Sequence, residues 1–216
     1  VSKGVDGFFC IFYRYALLFL YFFFHSQCLV IGSDVDFAII RLSFYLVQNA
    51  MFTIEVDSTV SLEIAYHELN AQLAALLGGE RDLICNAAQF SAFVMQTIPD
   101  LNWSGFYFAR NEELVLGPYV GKVACTRIPF GRGVCGKAAQ TLQVQRIDDV
   151  HAFDGHIACD AVSASELVVP VVVDGKLVAV FDMDSPKVGR FSEIDQAGIA
   201  SFVATFIKAT DVTWSL

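Results

Sequence analysis

Basic clusters are missing from this chain. Its 216 residues hold 14 Lys and Arg against 23 Asp and Glu, a formal charge of −9, and no Lys/Arg run occurs anywhere. Phosphate binding needs a basic face, so a nucleic-acid partner is excluded. A small cation or a zwitterion is not. Also missing is any CxxC pair. The cysteines are Cys10, Cys28, Cys85, Cys125, Cys135 and Cys159. The spacings 135−125=10 and 159−135=24 do not match the close ligand pairs of zinc fingers or ribbons, although His151 and His156 lie nearby. A disulfide framework is also out of place, because a chain this long and 55% hydrophobic does not need one. A reducing compartment, the cytoplasm, with reactive thiols fits better. No internal repeat or low-complexity linker interrupts the sequence, which suits one domain with an appendage.

Two parts of unlike composition are present. "GFFCIFYRYALLFLYFFF" (7–24) is almost wholly apolar and aromatic, with Arg14 in its middle. It is long enough for a transmembrane segment and resembles a signal-anchor, but no small-residue cleavage site follows it cleanly. The chain opens on Val1, and Met51 begins a well-patterned sequence. Residues 1–50 are therefore expected to be upstream sequence or an extension outside the domain, in preference to a membrane anchor. A membrane partner follows only if 7–24 is a genuine anchor.

From Met51 the pattern is α+β. "SLEIAYHELNAQLAALLGG" carries helical periodicity and stops at Gly78-Gly79. "DLICNAAQFSAFVMQTIP" predicts a second helix ending near Pro99, with Cys85 in its core. "WSGFYFARNEELVLGPY" predicts two strands around Asn111-Glu112. "VQRI" is a short strand. "ELVVPVVVDGKLVAVFDMD" is two strands joined at Asp174-Gly175, the strongest hairpin signal in the chain. "SEIDQAGIASFVATFIKAT" is a final helix, with Ser192 as N-cap and Asp195 three residues on. Helices from both ends of residues 51–216 should pack on an antiparallel sheet.

Three groups of residues could carry chemistry. Cys135 follows the glycine turn "PFGRG" and opens a helix, where a first-turn thiol has a lowered pKa; it could equally just pack among small residues. Cys159 sits in "HAFDGHIACDAVSASE", where Asp154 and Asp160 disfavour a thiolate, so His156 and backbone donors would have to compensate. In the strand "VAVFDMD", Val180, Asp182 and Asp184 share one face, while Phe181 and Met183 share the other. With Glu166 across the hairpin, such close acids should raise at least one pKa. The plainer alternative is a frayed strand end facing water, because Ser185-Pro186 follows at once. Trp103, Gly105 and Tyr107 share a strand face and could form a small apolar box with a polar edge, or ordinary core.

Taken together, "NWSGFY", "LVLGPYVGKVACTRIPFGRGVCGKAAQT", "DVHAFDGHIACDAVSASELVVPV" and "GKLVAVFDMDSP…GRFSEID" closely resemble the free methionine-(R)-sulfoxide reductases, single-domain enzymes of the GAF fold. The resemblance spans about residues 58–210. It implies reduction of the R-epimer of free methionine sulfoxide, with a single GAF-like α+β domain. Cys159 resembles the attacking nucleophile, Cys125 the resolving cysteine and Cys135 an auxiliary thiol. Glu166, Asp182 and Asp184 match the acids that hold the substrate, and Trp103 and Tyr107 match the aromatic wall. The cycle it implies needs no metal, flavin or nucleotide, only a thioredoxin-like dithiol as reductant. A homodimer is compatible with the sequence, which does not specify the oligomeric state. The rival class is a GAF-type ligand sensor without catalysis, but the chain carries no effector domain and a sensor would not require three thiols with three acids.

Overall fold

The computed structural model describes residues 54–57, 59–153 and 162–212. All fall within one unit of the chain, Thr53–Leu216. Among the described residues no helix is long and apolar enough to cross a membrane. The apolar stretch 7–24, and with it the expectation about residues 1–50, lies outside them.

The two N-terminal helices begin where the sequence places side-chain acceptors. Ser61 accepts from the Ile64 amide at the start of α1 (Leu62–Leu77), and Asp82 from the Cys85 amide at the start of α2 (Leu83–Thr97). Strands β1 (Trp103–Arg110) and β2 (Glu113–Gly121) follow, then a three-residue β3 (Arg127–Pro129) and the short helix α3 (Gly133–Thr141). After β4 (Gln145–Ile147) and a 3-10 turn at Val150–Ala152 come β5 (Ser165–Val173), β6 (Lys176–Ser185) and α4 (Glu193–Ala209). Helix α4 carries the anticipated capping box between Ser192 and Asp195. Both tight hairpins turn through left-handed residues, Asn111-Glu112 (φ 49° and 63°) and Asp174-Gly175 (φ 50° and 75°).

The strands form one six-stranded antiparallel sheet in the order β3-β2-β1-β6-β5-β4. Strand alternation gives it two unlike faces. Phe106, Phe108, Leu167, Val169, Phe181 and Met183 point to the side covered by α1, α2 and α4, where they meet Leu73, Phe90, Phe202 and Phe206. Phe90 contacts Phe106, Phe181 and Phe206 edge-on. This is the main core. Trp103, Tyr107, Val168 and Val180 point the other way and are covered by α3 through Val134, Cys135, Ala138 and Ala139.

One expectation fails here. Cys85 is exposed, not core. Helix α2 buries Leu83, Asn86, Ala87 and Phe90, a stripe that leaves Ile84 and Cys85 on the opposite surface.

Candidate active site

The second face of the sheet brings most of the predicted site residues together by register alone. Trp103 of β1 pairs with Asp184 of β6, and Gly105 with Asp182. On the other side of β6, Asp184 pairs with Glu166 of β5, and Asp182 with Val168. Phe181 and Met183 fill the helical core, so their neighbours Asp182 and Asp184 must project towards α3. The acids are therefore not a solvated strand end. Glu166 and Asp182 are each 6% exposed, and Asp184 is half-buried. Helix α3 closes over what the strand pattern alone left open to water.

Cys135 enters this cluster from the first turn of α3. The turn into α3 is tight: a Cβ on Gly136 would stand 2.5 Å from the Pro129 carbonyl oxygen, and the Gly131 amide donates to the Gly136 carbonyl at 2.7 Å. The Cys135 thiol donates to Glu166 Oε1 at 3.7 Å. Its sulfur and one oxygen each of Glu166 and Asp182 lie within 4.8 Å of one another. Among the described residues this is the one set of donors that could hold a metal ion.

Burial decides the protonation of all three. It raises the Asp182 carboxyl to about 7, against which hydrogen bonds from Cys135 and Glu166 act only partly. Glu166 is pushed well above the ordinary range, by burial first and then by the charges of Asp182 and Asp184. The Cys135 thiol is raised too, again by burial first and then by Asp182 and Glu166. The lowered pKa open to a first-turn thiol is overturned, because the acids and the loss of water outweigh the helix terminus. Cys135 is a neutral thiol near pH 7, a hydrogen-bond donor and a poor nucleophile.

The aromatic wall stands beside the acids. Trp103 lies near-parallel to Tyr107, with centroids 5.7 Å apart and planes at 22°. Its indole Nε1 donates to the Lys122 carbonyl at 3.2 Å. Gly105 has to be glycine, since a Cβ there would meet Trp103 Cη2 at 2.7 Å and Tyr119 Cβ at 2.3 Å. Tyr119 is a member of the wall that sequence reading missed. Its centroid is 5.3 Å from that of Trp103, with planes at 14°. The available signal was Gly117-Pro118, an unusual pair inside a strand.

Cys125 lies in the β2–β3 connection, half-buried against the same second core. Cys159, with Asp154, His156 and Asp160, lies outside the described residues. Described residues on either side of that segment are tied by hydrogen bonds. The Val150 amide donates to the Ala164 carbonyl at 2.9 Å, and Asn102 Nδ2 donates to Ser163 Oγ at 3.0 Å. Asn102 precedes Trp103, and Ser163 lies three residues before Glu166.

Comparison with known proteins matches the chain to a family. A GAF-domain family model matches residues 86–207, a range that contains the acids, the aromatic residues and three cysteines. The chain is 52% identical over 161 residues to Protein YtsP of Bacillus subtilis, covering 74% of this chain and 98% of that one. It is 49% identical over 148 residues to the free methionine-R-sulfoxide reductase of Escherichia coli, covering 68% of this chain and 90% of that one. The chain belongs to the free methionine-R-sulfoxide reductase family. Its structure resembles that of the Neisseria meningitidis free methionine-R-sulfoxide reductase in complex with its substrate. The TM-score is 0.70 and the identity 35%, over 74% of this chain and 95% of that one. For a free methionine-R-sulfoxide reductase the observed pairing of buried acids with an aromatic wall is chemically apt. One side offers protons and charge, the other an apolar surface.

Proposed function

We propose that residues 51–216 reduce free L-methionine-(R)-sulfoxide to L-methionine. The observation that carries the reading is the buried Glu166–Asp182–Cys135 cluster facing Trp103 and Tyr107, in a chain of this family. The substrate is a zwitterion with a polar S=O, a methyl group and an ammonium. The methyl rests on the aromatic wall. Asp184, the least buried acid, takes the ammonium. Glu166 or Asp182, protonated near neutral pH, donates to the sulfoxide oxygen and makes the sulfur more electrophilic.

The Cys159 thiolate then attacks that sulfur. The S=O oxygen takes up the proton, methionine leaves with its sulfur reduced, and Cys159 is oxidised to a sulfenic acid. Cys125 condenses with the sulfenic acid, forming a disulfide and releasing water. A thioredoxin-like dithiol resets the pair by exchange and is itself oxidised. Cys135 serves as a buried donor to the acids, consistent with its raised pKa. The working compartment is the reducing cytoplasm.

The test is direct. Reduced protein is mixed with one equivalent of the free R-sulfoxide and its disulfides are mapped by mass spectrometry. A Cys125–Cys159 disulfide formed with stoichiometric methionine supports the cycle. Bound sulfoxide with no methionine formed would leave a ligand-binding GAF module instead.

A further inference from the structure

We propose that Tyr119 is a positioning residue of this site, aligning the Trp103 ring against which the substrate methyl is placed; the inference rests on the substrate reading above. Strand alternation would not put it there. Leu114 and Leu116 of β2 pair with Ala109 and Tyr107 and pack on the site face. With strict alternation Tyr119, three residues beyond Leu116, would fall on the opposite face. The register breaks between them. Gly105 pairs with Tyr119 and Tyr107 with Leu116, so β1 advances two residues while β2 advances three.

The extra residue is a β-bulge at Gly117-Pro118, and its effect is to turn Tyr119 onto the face that holds Trp103. Neighbours hold the bulge in place. A Cβ on Gly117 would lie 2.5 Å from Phe108 Cε2, and the Pro118 carbonyl accepts from Ser91 Oγ at 3.2 Å. Tyr119 then contacts the indole near-parallel, opposite the glycine that leaves room for both rings. The indole is thus fixed by its Lys122 hydrogen bond, by Tyr107 and by Tyr119. Tyr119 itself is half-buried and aromatic, and the flat ring is the feature used.

Three variants test this: Tyr119→Phe, Tyr119→Leu and Tyr119→Ala. The Phe variant should match wild type. The Leu and Ala variants should lose roughly three- to tenfold in kcat/KM, the scale of an aromatic pair, mostly through KM. Near-ultraviolet circular dichroism, which reads the ordered indole whether or not turnover occurs, should change at the tryptophan band for Leu and Ala but not for Phe. A Leu variant equal to wild type in both readouts would overturn the inference, since apolar bulk would then suffice. So would a loss confined to kcat, or one that Phe does not rescue. Wild type that bound no free methionine sulfoxide would overturn the functional reading and this inference with it. An active wild type with an unchanged Ala variant would overturn the inference alone.

Discussion

Replacing Asp182 by Asn should stabilise the protein, and increasingly so as pH rises. Asp182 is 6% exposed and its Oδ1 is buried without a hydrogen-bond partner. Burial lifts its pKa from 3.8 to about 7. Between these values the folded protein holds a proton that the unfolded chain has released, so stability falls as pH rises through that window. At about 1.4 kcal/mol per pH unit, the interval corresponds to about 4 kcal/mol in all, of which about 1–2 is already lost at pH 5. The wild type should therefore lose roughly 2–3 kcal/mol between pH 5 and pH 8 that the Asn variant keeps. Urea denaturation of both proteins at pH 5, 6, 7 and 8 measures this. The free-energy difference between them should widen with pH and level off above about 7. Parallel stability curves would refute the reasoning, because the folded protein would then carry Asp182 ionised throughout.

Cys159→Ser should abolish turnover, while Cys125→Ser should release about one equivalent of methionine and then stall at a sulfenic acid; trapping with a sulfenic-acid reagent and quantifying methionine checks both. At the acids, an amide keeps a donor but no charge. At the residue that holds the sulfoxide oxygen, Glu166→Gln or Asp182→Asn should outperform the corresponding Ala variant, whereas Asp184→Asn and Asp184→Ala should be similarly poor. Steady-state kinetics should show losses of roughly ten- to a hundredfold in kcat/KM for the poor variants. Gly198→Ala should destabilise by about 1–3 kcal/mol, since its Cβ would stand 2.2 Å from Tyr66 Cδ1 while the Tyr66 hydroxyl is tied to Asp195 at 2.8 Å; an unchanged Tm would contradict the packing described.

Local chemistry made much of the fold readable. Ser192 announces the last helix by capping, periodicity with Gly78-Gly79 and Pro99 announces the first two, and Asn111 and Asp174-Gly175 announce two hairpins by their tolerance of positive φ. The shared face of Asp182 and Asp184 was likewise fixed by strand period. What α3 does to that face was not legible, since burial of Asp182 and the raised thiol of Cys135 arise only when a distant segment packs on the sheet. Two positions were not read correctly from local sequence. Cys85 is in a helix but on its outer side, and Tyr119 changes face across a bulge that alternation does not anticipate. The three-residue β3 and the 3-10 turn are too short for any periodic signal.

The activity proposed for this chain is confined to one epimer of a free amino acid. Methionine release should be measured with the separated R and S sulfoxides, each free and within a peptide, using a thioredoxin system as electron donor. Turnover of the free R-epimer alone is the predicted result. Equal turnover of the S-epimer or of the peptide-bound sulfoxide, or none with any of the four, would contradict the account.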